Sequence, residues 1–124
     1  MSFEEIRRAQ QERLRGLRAS RRREAERLAL GLGAAGVLKV ILFGSVAVGE
    51  DSFHSDIDLV AVTDAVAGQP FPGRLAPLLA KLQPRQTVDL LVYTAGEWTE
   101  LCATRAFVRE EIAGKGVLLY ERPG

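Results

Sequence analysis

Three carboxylates and one Gly-Ser pair are the residues of this chain best suited to chemistry. Gly44-Ser45 follows the apolar run from Val37 to Phe43, and ten residues separate Ser45 from Asp56 in Ser55-Asp56-Ile57-Asp58-Leu59. A small turn that opens a helix directs backbone N–H groups at phosphate oxygens. Asp56 and Asp58 stand two apart at the start of a second apolar run. On a strand they project to one face, about 7 Å apart at Cα, and can hold divalent cations together. Asp89 lies inside Val88-Asp89-Leu90-Leu91-Val92-Tyr93. A carboxylate in such a run is expected to be costly unless a cation meets it. Together these residues suit a triphosphate on one side and metal ions on the other.

The other reactive residue types are scarce. Cys102 is the single cysteine and His54 the single histidine, so an internal disulfide, a Cys-rich zinc site and a multi-His site are excluded. Any metal is expected to be oxygen-ligated, with Mg²⁺ the natural candidate. Ser55 reads equally as a ligand or as a turn residue. His54 reads as a loop residue or as a contact to nucleotide or acceptor. Trp98 and Tyr120 are expected to close the core rather than stack a base, and Cys102 to be buried and inert. Arg105 and Arg109, i and i+4 on one helix face, are expected to be solvated.

The elements around these residues follow from periodicity. Residues 3 to about 30 contain no Pro, one Gly (Gly16), and apolar residues from Phe3 and Ile6 to Ala25 and Leu28 at helical spacing. They predict one long helix, or two broken near Gly16, ending in the glycines at 31, 33 and 36. Strands are expected over 37–43, 57–63, 87–93 and 117–120. Helices are expected over 44–49, 75–82 and 104–113, with another from the capping-box sequence Thr94-Ala95-Gly96-Glu97 through Leu101. Residues 50–55 and 64–73 read as loops. The alternation predicts an α/β or α+β domain with a small mixed sheet, flanking helices and a long N-terminal helix.

The chain has 124 residues, 47% of them hydrophobic and 27% charged, which suits one soluble domain. No apolar run approaches the roughly 18 residues of a membrane span. The charged start lacks a signal's apolar stretch, and a cytoplasmic location is expected. Residues 1–28 carry nine Arg and five Glu, a net of +4 against −3 for the remainder. That segment reads either as a solvated helix laced with pairs such as Glu4–Arg8 or as a surface for nucleic acid or an acidic partner.

The combined pattern of strand, Gly44-Ser45, spacer, Asp56-Ile57-Asp58 and the later strand Asp89 resembles the DNA polymerase β-type nucleotidyltransferases, and within them the minimal nucleotidyltransferases. The resemblance covers about residues 37 to 121, including the ending Gly116-Val117-Leu118-Leu119-Tyr120-Glu121. It implies a polymerase β-like palm over 35–124, with 1–34 a basic helical extension packed on it. It implies that Asp56, Asp58 and Asp89 bind Mg²⁺ and carry catalysis, that Asp89 draws the proton from the nucleophile, and that Gly44, Ser45 and Ser55 bind the nucleotide. The implied reaction moves a nucleoside monophosphate, AMP from ATP, to a hydroxyl of a partner. The implied partner is a HEPN-type toxin for which this chain is the antitoxin. An occluding antitoxin with weak transfer is the rival reading, and RNA binding through the Arg-rich helix a third. One departure favours the rival. Many relatives carry a basic residue before the second glycine of the loop, where this chain has Val48; Arg74, Lys81, Arg85 or the N-terminal helix are the expected substitutes.

Overall fold

The computed structural model describes residues 1–124. Helix α1 runs unbroken from Phe3 to Ala34, passing through Gly16. Its first turn is capped by Ser2, whose hydroxyl accepts from the Glu5 N–H at 3.2 Å. Strands β1 (Lys39–Phe43), β2 (Ile57–Val62), β3 (Val88–Tyr93) and β4 (Val117–Glu121) form one sheet in the order β3-β2-β1-β4. Short helix α2 (Gly44–Val48) and a loop join β1 to β2, which pair antiparallel. Helix α3 (Pro72–Leu82) is the crossover that makes β3 parallel to β2. Helix α4 (Ala95–Thr104) and a π-helix (Val108–Gly114) lead to β4, antiparallel to β1.

Strand alternation divides the core between the two faces of the sheet. Val40, Leu42, Leu59, Ala61, Leu90 and Val92 pack with Ala25, Leu28, Ala29 and Leu32 of α1. Ile41, Val60 and Val62 face the other way and pack with Trp98 of α4 and Ile112 of the π-helix, joined by Leu91 and Tyr93. Trp98 is thus a core residue, as expected. Burying a side chain such as Leu28 or Leu32 stabilises by about 1.5–3 kcal/mol. Only the later part of α1 earns this burial, since every buried residue of the helix lies at Arg21 or beyond. Phe3 and Ile6 repeat the apolar spacing but are exposed, because the helix start projects past the sheet.

Charged side chains of α1 tie down two loops. Arg21 is buried and donates through Nη1 to Asp51 Oδ2 at 2.7 Å and to the Ser52 carbonyl at 2.6 Å. Its Nη2 donates to the Phe53 carbonyl at 3.0 Å, and Arg18 Nε donates to the Asp51 carbonyl at 2.8 Å. Arg27 Nε donates to Glu24 at 2.6 Å, and its Nη1 and Nη2 reach the Leu82 and Gln83 carbonyls at the end of α3. The Arg27 bond holds the Glu24 carboxyl below its ordinary range. Part of the basic surface read from the sequence is therefore internal cross-bracing. The exposed pair near the start is Glu4–Arg7 at 3.3 Å, three residues apart, in place of Glu4–Arg8.

Several boundaries differ from the sequence expectation. Helix α3 begins at Pro72 and carries Pro77 inside it; Pro72 is favourable in a first turn, which lacks internal N–H partners. A 3-10 turn over Asp64–Val66 interrupts the expected loop, held by the Thr63 side chain. The expected helix over 104–113 is split. Arg105 ends α4 in an extended conformation, and the wider π-helix follows. Arg105 and Arg109 therefore do not share a helix face. Arg109 Nη1 is spent on the Cys102 carbonyl at 3.1 Å. Cys102 is half-buried rather than buried, at the margin of the smaller core cluster.

Asp51→Ala leaves Arg21 buried without its anion and should destabilise by about 3–5 kcal/mol in urea unfolding, where an exposed pair would cost far less. The Thr94 capping box is complete, and its Glu97 also receives Arg74 Nη1 at 2.6 Å. The Arg74 bond, with help from the Thr94 N–H, lowers the Glu97 carboxyl from 4.5 to about 2. A depressed acid stabilises fully above its unfolded value and loses that contribution as pH falls through the folded one. Melting temperature should therefore drop as pH falls from about 4.5 toward 2. Glu97→Gln should melt lower at neutral pH and vary less across that window.

Candidate functional site

The register of the sheet assembles the site. Phe43, Asp58 and Asp89 are Cα partners across β1, β2 and β3. They form the last row of the face whose inner rows, Ile41–Val60–Leu91 and Lys39–Val62–Tyr93, run beneath α4 and the π-helix. The two carboxylates thus stand side by side at the uncovered end of a largely apolar face. Asp56 lies two residues before Asp58, just outside β2. No Lys, Arg or His pairs with any of the three.

Asp89 corrects one expectation. It is exposed, so no cation is needed to offset burial; β3 is an edge strand and its end lies open. Asp58 is the half-buried member. Burial, then the charge of Asp89, then that of Asp56, pushes its carboxyl upward. All three acids therefore share one electrostatic neighbourhood. They do not close into a single chelating group, as no three Asp, Glu, His or Cys side chains stand close enough to hold one ion. Like-charge repulsion favours that separation. The donor set still fits a hard divalent cation: carboxylate oxygens only, none paired with an ammonium or guanidinium, and an accessible edge.

Gly44 is required where it stands. Its φ is +74°, and a Cβ there would fall on Asp58 Oδ2. Ser45 follows it in the first turn of α2, and Gly49, also at φ +74°, closes the helix by donating to the Val46 carbonyl at 3.4 Å. Gly44, Ser45, Val48 and Asp58 line one cleft of about 680 Å³. Its other wall comes from Phe107, Glu111 and Lys115 around the π-helix. Sequence reasoning missed this wall; the one local signal is a lysine between two glycines, Gly114-Lys115-Gly116.

Asp56 borders a second cleft, of about 310 Å³, with His54, Ser55, Gln86 and the α1 residues Leu17 and Arg21. His54 is an exposed loop residue. Ser55 serves the turn, its Oγ accepting from the Ser52 N–H at 2.9 Å. Arg74 cannot supply the cation that Val48 lacks. It is buried, bonded to Glu97, Val92 and Gln69, and stacked 4.3 Å over the Phe71 ring. Lys81 and Arg85 do not line the Gly44 cleft either; Arg85 borders a polar cleft with Glu24 and Arg27.

Asp58→Asn should stabilise the metal-free protein at neutral pH. A carboxyl raised on folding disfavours its ionised form in the folded state, so the gain should vanish as pH falls and Asp58 takes up a proton. Titrated Mg²⁺ should raise the melting temperature of the wild type and have little effect on the variant. Equal Mg²⁺ responses from both would show that Asp58 holds no cation.

The family model described as polymerase beta, nucleotidyltransferase matches residues 33–123. A 1.40 Å crystal structure from Sulfolobus solfataricus, of a protein provisionally named a nucleotidyltransferase, shares the fold with a TM-score of 0.61 at 21% identity. The match covers 85% of this chain and 84% of that one. No curated protein matches, and no helix is long and apolar enough to cross a membrane. The chain belongs to the polymerase beta nucleotidyltransferase family.

Proposed function

We propose that this protein transfers AMP from ATP, with Mg²⁺, to a hydroxyl of a partner macromolecule, and that the partner is a HEPN-type toxin which the transfer silences. The observation that carries the reading is the row of Asp58 and Asp89, free of cationic partners, beside a glycine that admits no side chain. Asp56 and Asp58 would hold Mg²⁺ with Asp89, which when bound neutralises charge on the triphosphate and the leaving pyrophosphate. Ser45 and the amides of α2 would cradle the β and γ phosphates. The acceptor oxygen bonds to the α phosphorus, the bond to the bridging oxygen breaks, and pyrophosphate leaves. Asp89 takes the hydroxyl proton. It is suited to this by being exposed and by standing beside Asp58. The 1–34 segment acts as an extension of the 35–124 catalytic domain, in a cytoplasmic setting.

A second reading keeps nucleotide binding but assigns neutralisation to occlusion. Val48, half exposed in the cleft, and the separation of the three acids favour it. The double variant Asp56→Asn/Asp58→Asn separates the two. Label from ATP on a co-purified partner should fall by more than about 100-fold, since metal assistance is worth several kcal/mol of barrier. Full neutralisation of the partner in cells by that variant, with no label on the partner from either protein, would leave occlusion as the function.

A further inference from the structure

We infer that the π-helix side of the Gly44 cleft is the second half of the nucleotide site, with Lys115 meeting the triphosphate and Phe107 carrying the base. This rests on the nucleotide reading above and assigns residues that the motif does not contain. The cleft poses a charge problem. Glu50, Asp58 and Glu111 line it, and Lys115 is its one cation. A triphosphate approaching Ser45 meets these acids, and α2 is only five residues long. Arg18, Arg21 and Arg74 are committed to Asp51 and Glu97.

Lys115 is free to answer that charge. Its ammonium has one partner, Glu111 at 3.1 Å, and both side chains are largely exposed, at 62% and 45%. Such a surface pair contributes little and exchanges readily. The lysine stem is long and flexible, but its base is fixed. The Lys115 N–H donates to the Glu110 carbonyl at 3.1 Å and the Gly116 N–H to the Ile112 carbonyl at 2.9 Å. The side chain therefore swings from a set point on the cleft wall. Phe107 lies on the same wall, is 65% exposed, and belongs to neither core cluster. The aromatic contacts of this fold run through Phe71, Tyr93 and Trp98 and leave Phe107 out. An aromatic face at the lip of a phosphate cleft suits a nucleobase, whatever its identity. π-Helical turns recur at functional sites, and the residues that flank this one, Phe107 and Lys115, both line the one cleft.

Calorimetric titration with ATP and with inorganic tripolyphosphate, each with Mg²⁺, tests the two roles separately. Lys115→Met should weaken both ligands by about tenfold or more, as a charge-assisted contact is lost, and Lys115→Arg should restore them. Phe107→Ala should weaken ATP by about tenfold and leave tripolyphosphate unchanged. Both residues are exposed, so the variants should melt like the wild type. Wild-type binding of ATP with unaltered affinity in both variants would overturn the inference and leave the nucleotide reading standing. A loss confined to one variant would remove the role given to the other residue. A wild type that binds neither ligand would remove the nucleotide reading itself, and this inference with it.

Discussion

Asp58 and Asp89 repel each other, and the pairing of β2 with β3 holds them side by side nonetheless. The proposed transfer depends on that enforced proximity. Neighbouring carboxylates in a partly solvated setting repel, and the partial burial of Asp58 sharpens that repulsion. The apolar rows behind them bear the opposition. Val60 and Leu91 follow in the same register and lie under Trp98 and Ile112, while Leu59 and Leu90 are sealed from the opposite face by α1. Each buried aliphatic side chain contributes about 1.5–3 kcal/mol, so a handful of them outweighs the charge row. The site sits where burial ends, because repulsion is tolerable there and a cation has access.

The arginines show how a basic composition divides between structure and surface. Arg21 and Arg18 fasten the loop that delivers Asp56, and Arg27 closes the end of α3. Arg74 locks the start of α4 through Glu97. All four act on segments without regular pairing of their own, where carbonyls need donors. The one cationic side chain lining the cleft is consequently Lys115, beside the π-helix. In the inferred role, Lys115 would offset the departure at Val48 from a distant part of the chain.

Local physics made much of this legible in the residues alone. Alternation and apolar runs located four strands, the capping box at Thr94 located α4, and the spacing of Gly44, Ser45, Asp56, Asp58 and Asp89 marked the site region and the family. The strand and cap signals are short-range, written in neighbours two to four residues apart, while the family pattern is a linear spacing across three strands. What they missed was longer in range. No spacing rule reveals that β3 is an edge strand and leaves Asp89 exposed, since edge and centre differ only in what lies beyond the chain's own run. Nor does helical periodicity say where α1 stops touching the sheet. Phe3 and Ile6 carry the same pattern as Leu28, and only the latter meets a surface.

The sequence by itself determined which residues can bind metal and phosphate, because side-chain chemistry and a two-residue strand period are properties of the chain. Tertiary structure alone decided which of them share a cleft. The Asp58–Asp89 register, the buried Arg21–Asp51 pair and the approach of Lys115 to Ser45 join segments some 30 to 70 residues apart. Closing loops of that length costs entropy that only the whole core repays. Such contacts are therefore a collective result of packing, and no local pattern carries them.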